Sequence, residues 1–240
     1  MAEELVISCM DRRLNRMLEE EYGDAIVIRN AGANVAPLMQ MIKQIVIDNN
    51  IKRITLITHD DCGAMKKTFA AIKEGIHASE DLEDILIKQF REINFSDRQQ
   101  LEEKNTEMQL AGLKREFTNI DVHAKPAKMS EIKVPPDDKE HKLLVLSPGE
   151  PGYGRIFEGL GLDPFQCYIV QASISNAMPD IELAAKDLHA KEIYFVTLNQ
   201  DNPREVKRDA DTAALRLSAI GAEVKRQDMR TMRAKGKNLM

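Results

Sequence analysis

The chain is 240 residues long, 43% of them hydrophobic, with a formal net charge of −5 at neutral pH. That is enough apolar material for a core in one or two domains. No run reaches the roughly 18 to 20 apolar residues of a membrane span, and the acidic balance argues against nucleic acid as the partner. The opening Met1-Ala2-Glu3-Glu4 carries no basic region ahead of an apolar stretch, so the expectation is a soluble, cytoplasmic protein. Cys9, Cys62 and Cys167 are too few for a disulfide framework, and they direct attention to metal or catalytic roles.

In chain order, Leu5-Val6-Ile7-Ser8 reads as a first buried strand, Ala25-Ile26-Val27-Ile28 as a second and Ile54-Thr55-Leu56-Ile57-Thr58 as a third. Their continuous apolar character suits parallel strands covered on both faces. Between the second and third, residues 37–48 form a helix, with Pro37 in its first turn and Leu38, Met41, Ile42 and Ile45 on one face. The grammar is that of a doubly wound α/β sheet. From residue 65 the pattern turns helical and charged. Ser96 with Gln99 suggests a capping box opening a helix that runs to about Phe117. A strand at 120–123 and a linker around Pro135-Pro136-Asp137-Asp138-Lys139 follow.

The remainder repeats the beginning. Leu144-Val145-Leu146-Ser147 echoes the first strand, Tyr168-Ile169-Val170-Gln171-Ala172 the second, and residues 191–197 the third, with a helix at 180–189 in the crossover. We therefore expect three segments: a first half at 1–130 with a helical insert, a linker at 131–142, and a second half at 143–240. The Lys- and Arg-rich residues 225–237 read as a solvated tail.

Cys9 follows the first strand and His59 the third. In open parallel sheets, sites form at the carboxyl ends of strands, so the two meet if those strands are neighbours. Cys62 stands three residues beyond His59, within one tight turn. A single cysteine after a buried strand is ordinarily a small core residue, and an isolated His-x-x-Cys arises by chance. Both at strand ends, beside Asp11, Arg13, Asp60 and Asp61, favour a metal. Two thiolates and an imidazole suit Zn²⁺, and three protein ligands with a fourth position left over is the catalytic pattern.

Cys9-Met10-Asp11-Arg12-Arg13, Arg29-Asn30-Ala31-Gly32 and His59-Asp60-Asp61-Cys62-Gly63 resemble the motifs of β-class carbonic anhydrases, as do Asn105, Gln109 and Leu110. The resemblance covers about residues 5–125. It implies a parallel-sheet β-carbonic-anhydrase-like fold, duplicated in tandem here as an internal pseudo-dimer. By it Cys9, His59 and Cys62 ligate zinc, Asp11 and Arg13 form the adjacent catalytic dyad, and no organic cofactor is required. The implied reaction is reversible hydration of CO2 to bicarbonate. The alternatives are a related zinc hydrolase of COS or CS2, or a non-catalytic zinc-stabilised interaction module. Arg13 would keep Asp11 ionised and off the metal; in some members of the family the aspartate takes the fourth position instead.

The second half carries no such set. Pro148 or Gly149 stands where Cys9 would be, Leu198 or Asn199 where His59 would be, and Asp201 or Asn202 where Cys62 would be. It is expected to be a metal-free copy, with Cys167 in its core. Pro148-Gly149-Glu150-Pro151-Gly152-Tyr153-Gly154 is glycine-rich but lacks the Gly-Lys-Ser/Thr of a nucleotide loop, so we expect it to approach the zinc cleft or the pseudo-symmetric empty one instead. His77, His123, His141 and His189 read as surface residues. The expected partners are a small-molecule substrate and, as a homo-oligomer, further copies of this chain, with no membrane.

Overall fold

The computed structural model describes residues 2–134, 141–172 and 174–230. The first half runs β1 (Glu4–Cys9), α1 (Asn15–Glu21), β2 (Ile26–Asn30), α2 (Met39–Asn49), β3 (Arg53–Ile57), α3 (Gly63–Lys73), the single turn α4 (Glu80–Leu82), α5 (Arg98–Glu116) and β4 (Asp121–Ala124). The second runs β5 (His141–Leu146), α6 (Tyr153–Leu160), β6 (Cys167–Gln171), α7 (Ile174–Lys186), β7 (Ala190–Thr197), α8 (Pro203–Leu217) and β8 (Glu223–Asp228).

All eight strands join one sheet in the order β4-β3-β1-β2-β6-β5-β7-β8. Neighbours are parallel except at the centre, where β2 meets β6 antiparallel through Arg29 and Gln171. The α/β, mostly parallel architecture expected from the sequence is therefore the one observed. The outer-to-centre order of the first four strands recurs, reversed in direction, in the second four. One consequence matters for the site: the carboxyl ends of β1 and β3 share an edge of the sheet with the starts of β5, β6 and β7. The bond from Ile169 N–H to the Met10 carbonyl, 3.1 Å, ties that edge together.

Local chemistry explains the boundaries. Past Glu4, β1 is buried along its whole length, as are β6 and, past Arg53, β3, so their side chains must be apolar on both faces. α2 stops where Asn50 turns left-handed (φ 53°), and α8 starts at Pro203 with the Asn202 side chain accepting the Arg204 N–H. Apolar residues from both halves form one continuous core around the sheet.

Several expectations need correction. The cap of α5 is Asp97, which accepts the Gln100 N–H at 2.9 Å; Ser96 lies outside and its N–H bonds the Gln100 side chain. Two adjacent capping residues made the offset invisible in the sequence. Pro37 sits in a short 3₁₀ turn ahead of α2. The crossover helix α7 begins at Ile174 and ends at Lys186, so Pro179 and Asp180 lie inside it rather than at its start. Residues 135–140 of the expected linker lie outside the described residues, and β5 already begins at His141. Lys225 and Arg226 belong to edge strand β8, not to a tail, and residues 231–240 are likewise outside the described residues. His77 and His189 are exposed, but His123 and His141 are half-buried.

Candidate metal centre

β1 and β3 pair directly, which brings Cys9, the last residue of β1, beside the turn that follows β3. In that turn Asp61 adopts a left-handed backbone (φ 53°), and the Asp60 carboxylate accepts the Met129 N–H at 2.6 Å. His59 and Cys62 are thereby presented to the same point. Cys9, His59 and Cys62 are all buried, and their ligand atoms lie within 4.8 Å of one another. The two sulfurs are 3.9 Å apart.

The imidazole shows what the cluster is built for. His59 Nδ1 lies 2.8 Å from the Asp60 carbonyl, to which it can only donate. That leaves Nε2 as the nitrogen a metal could take in place of a proton, and among the described residues Nε2 is buried without a hydrogen-bond partner. A histidine oriented by a backbone carbonyl, with its other nitrogen aimed between two thiols, fits a divalent metal of borderline softness. Without metal, the hydrogen bond with Cys62 and the His59 charge hold Cys9 down against burial, while the hydrogen bond with Cys9, burial and the Cys9 charge push Cys62 up. Burial works against the His59 charge, but Cys9 outweighs it and lifts the imidazole to about 9. The cluster therefore holds protons that a metal would displace.

Asp11 and Arg13 stand beside it. Arg13 Nε and Nη2 donate to the two Asp11 oxygens at 2.9 and 2.7 Å, and the Arg13 N–H donates to Oδ1 at 3.0 Å. Burial alone would raise the carboxyl; Arg13's hydrogen bonds, with the charges of His59 and Arg13, hold it at about 2. Arg13 is held in turn by the Asp61 carboxylate and carbonyl, each at 2.9 Å. Asp11 Oδ2 comes within 3.8 Å of His59 Nε2. The carboxylate thus borders the ligand set while both its oxygens are engaged elsewhere.

One further support left no mark in the local sequence. Glu102 of α5, buried, accepts the Cys62 N–H at 3.0 Å just ahead of α3. Asn105 donates to the Gly32 carbonyl at 2.8 Å, and Gln109 accepts the Val35 N–H at 3.0 Å, so α5 fixes the segment after β2. Leu110, beside them, is only partly buried. A cleft of about 350 Å³ opens onto Cys9, Asp11 and Ala31, and its far wall is Tyr168, Asp187 and Leu188 of the second half. The His141 imidazole lies edge-on to Tyr168 and bonds the Leu188 carbonyl at 3.0 Å.

The glycine-rich run does not line this cleft; it follows the end of β5, the other place expected for it. Gly149 bonds Val27 of β2, and the Gly154 N–H donates to Glu19 at 2.9 Å, so a carboxylate of the first half occupies the amide. Cys167 is buried, and burial pushes its thiol up to about 12.

Residues 4–134 match a family model described as carbonic anhydrase. The chain belongs to this family, in its β class. Among solved structures it is similar to one of two tetrameric β-carbonic anhydrases of Sordaria macrospora, at 21% identity over 54% of this chain and 77% of that one, with a TM-score of 0.45. The β-carbonic anhydrase CafA of Aspergillus fumigatus is similar at 21% identity over 54% and 72%, with a TM-score of 0.43. An isoform from Trichomonas vaginalis is similar at 19% identity over 55% and 79%, with a TM-score of 0.38. No curated protein matches the chain. Among the described residues, no helix is long and apolar enough to cross a membrane.

Proposed function

We propose that this chain catalyses the reversible hydration of CO2 to bicarbonate at a zinc ion held by Cys9, His59 and Cys62. The observation that carries the reading is the unpartnered, buried Nε2 of His59 aimed between two thiols, beside a carboxylate already paired with arginine. Zinc bound there supplies a Lewis acid that makes water nucleophilic near neutral pH.

The chain's own residues then have separable tasks. Asp11, held at about 2, is too weak a base to keep a proton, so it acts as the acceptor that orients the attacking water. Arg13 keeps that carboxylate anionic and away from the ligands. Tyr168 and Leu188 present apolar surface across the cleft, a wall against which a small linear substrate displaces water. The oxygen–carbon bond forms, bicarbonate leaves, and the proton released passes to buffer.

The second half is read as a repeat of the first that has lost the metal set and serves as a wall. Its strand order and the substitutions at Gly149, Leu198 and Asp201 support this. Stopped-flow CO2 hydration with metal analysis tests the function. One zinc per chain with hydration supports it, while zinc without hydration points to a scaffold. Preference for COS over CO2 in competition would reassign the substrate within the same chemistry.

A further inference from the structure

The ligand set belongs to one half, yet a buried acid of the other half reaches its backbone. Asp180, on α7, is 6% exposed, and its Oδ1 accepts the N–H of Ala31 at 2.9 Å. Ala31 directly follows β2 and lines the cleft. The two residues before it hold the loop that carries the ligands. The Asn30 carbonyl accepts the Met10 N–H at 2.9 Å. Arg29, 0% exposed, donates Nε to the Cys9 carbonyl at 3.1 Å and Nη2 to the Asp11 carbonyl at 2.8 Å. One hydrogen bond thus joins Asp180 to the segment that fixes the backbone of Cys9 and Asp11.

An acid in this position is expensive. Burial pushes the Asp180 carboxyl up to about 7, and the charge of Cys9 adds to the rise. A leucine would avoid the cost, but it would leave the Ala31 N–H without this acceptor. Packing alone would be served by an apolar side chain; the acid stands where a backbone amide beside the cleft needs an acceptor.

We propose that Asp180 is a positioning residue contributed by the second half, which fixes the Ala31 amide and through it the β2 end that aligns Cys9 and Asp11 for zinc. This rests on the zinc reading above but not on CO2 being the substrate. The test measures zinc affinity by competition with a chromophoric chelator, alongside the melting temperatures of zinc-loaded and zinc-free protein. Asp180→Leu should weaken zinc binding by about 10-fold, the low end of what losing a hydrogen bond to a ligand itself costs, because Asp180 acts through Ala31. It should also shrink the gain in melting temperature that zinc confers. Asp180→Asn keeps a carbonyl oxygen for the Ala31 N–H and should bind zinc like wild type. Should the leucine variant not fold, Asp180→Ala, which also lacks the acceptor, carries the same expectation. Wild-type zinc affinity in the acceptor-less variant, with both melting temperatures lowered equally, would overturn the proposal and leave Asp180 a packing residue. A loss in the asparagine variant as large as in the leucine variant would overturn the acceptor role. Wild-type protein that binds zinc but does not hydrate CO2 would refute the proposed function and leave this result standing.

Discussion

Replacing Arg13 by alanine tests the dyad most directly, because the structure says where the freed carboxylate would go. Asp11 is 7% exposed, and two of the three donors on it are Arg13 side-chain nitrogens. Removing one partner of a buried ion pair costs about 3 kcal/mol, the low end of the usual range, because the Arg13 side chain is 21% exposed. In zinc-free protein that loss should appear in full as a lower melting temperature. In zinc-loaded protein another cation is within reach, since Oδ2 already lies 3.8 Å from His59 Nε2. A small rotation would bring the carboxylate onto the metal, recovering stability and closing the fourth position. The expected result is unchanged zinc content, a melting temperature that falls less with zinc than without, and a loss of about 100-fold or more in CO2 hydration at neutral pH. Arg13→Lys should restore only part of the activity, because an ammonium cannot reproduce the two-pronged grip. Near-normal hydration in Arg13→Ala would remove Arg13 from the mechanism, and equal melting losses with and without zinc would refute the rotation.

Cys62→Ser should strip the metal and lower the melting temperature of protein purified with zinc; full zinc occupancy by elemental analysis would show the ligand set to be wrong. Asp180 gives a pH prediction for zinc-free protein. Its folded pKa of about 7 exceeds the unfolded 3.8, so its contribution is complete below about pH 4 and is lost as pH rises to 7, by at most about 4 kcal/mol. Denaturant titrations of Asp180→Asn should lack that slope, and slopes equal to wild type would show the carboxyl to be unshifted. A chain ending at Lys133 should expose the β2 edge that now pairs with Gly149 and Gln171 and should self-associate in light scattering. A well-behaved, active monomer of that length would sink the dependence of the first half on the second.

The parts of the site that were legible in the sequence are those with a local cause. Continuous apolar runs marked β1 and β3, and parallel sheets open their sites at strand ends, so the sequence alone places Cys9 and His59. Cys62 followed from the reach of one turn. Glu102, Asp180, Tyr168 and Leu188 were missed for the opposite reason: each acts on a residue far away in the chain, and none sits in a pattern of its own. The antiparallel junction between β2 and β6 brings the second half's contributions to the cleft, helped by Asn15 bonding the Pro164 and Cys167 carbonyls and Lys67 pairing with Asp187, and a single pair at the Arg29–Gln171 register carries no periodic signal. The same limit explains the edge strand β8. Its residues Glu223-Val224-Lys225-Arg226-Gln227-Asp228 look like a charged tail, yet Lys225 bonds Glu192 on the neighbouring β7.

On the reading proposed above, the second half should fold without a metal, and its hydrogen bonds show how it does so. At the end of β7, where the first half has His59, Leu198 donates its N–H to the Asp201 carboxylate at 2.5 Å. At the end of β5, in the place of Cys9, the Gly149 carbonyl accepts from Gln171 Nε2 at 3.0 Å and from the Val27 N–H at 2.9 Å. Gln171 in turn accepts from the buried Tyr153 hydroxyl at 2.6 Å. These side chains satisfy one another, whereas His59 Nε2 in the first half has no hydrogen-bond partner among the described residues. A buried nitrogen left unpaired costs about 1 to 3 kcal/mol, which selection tolerates where a ligand will repay it. The two ends of one sheet therefore differ in kind: one is closed by its own hydrogen bonds, the other completed from outside. On that reading the second half supplies the wall and anchor that the remaining site needs, with Tyr168 in β6, Leu188 ahead of β7 and Asp180 on α7 in those places.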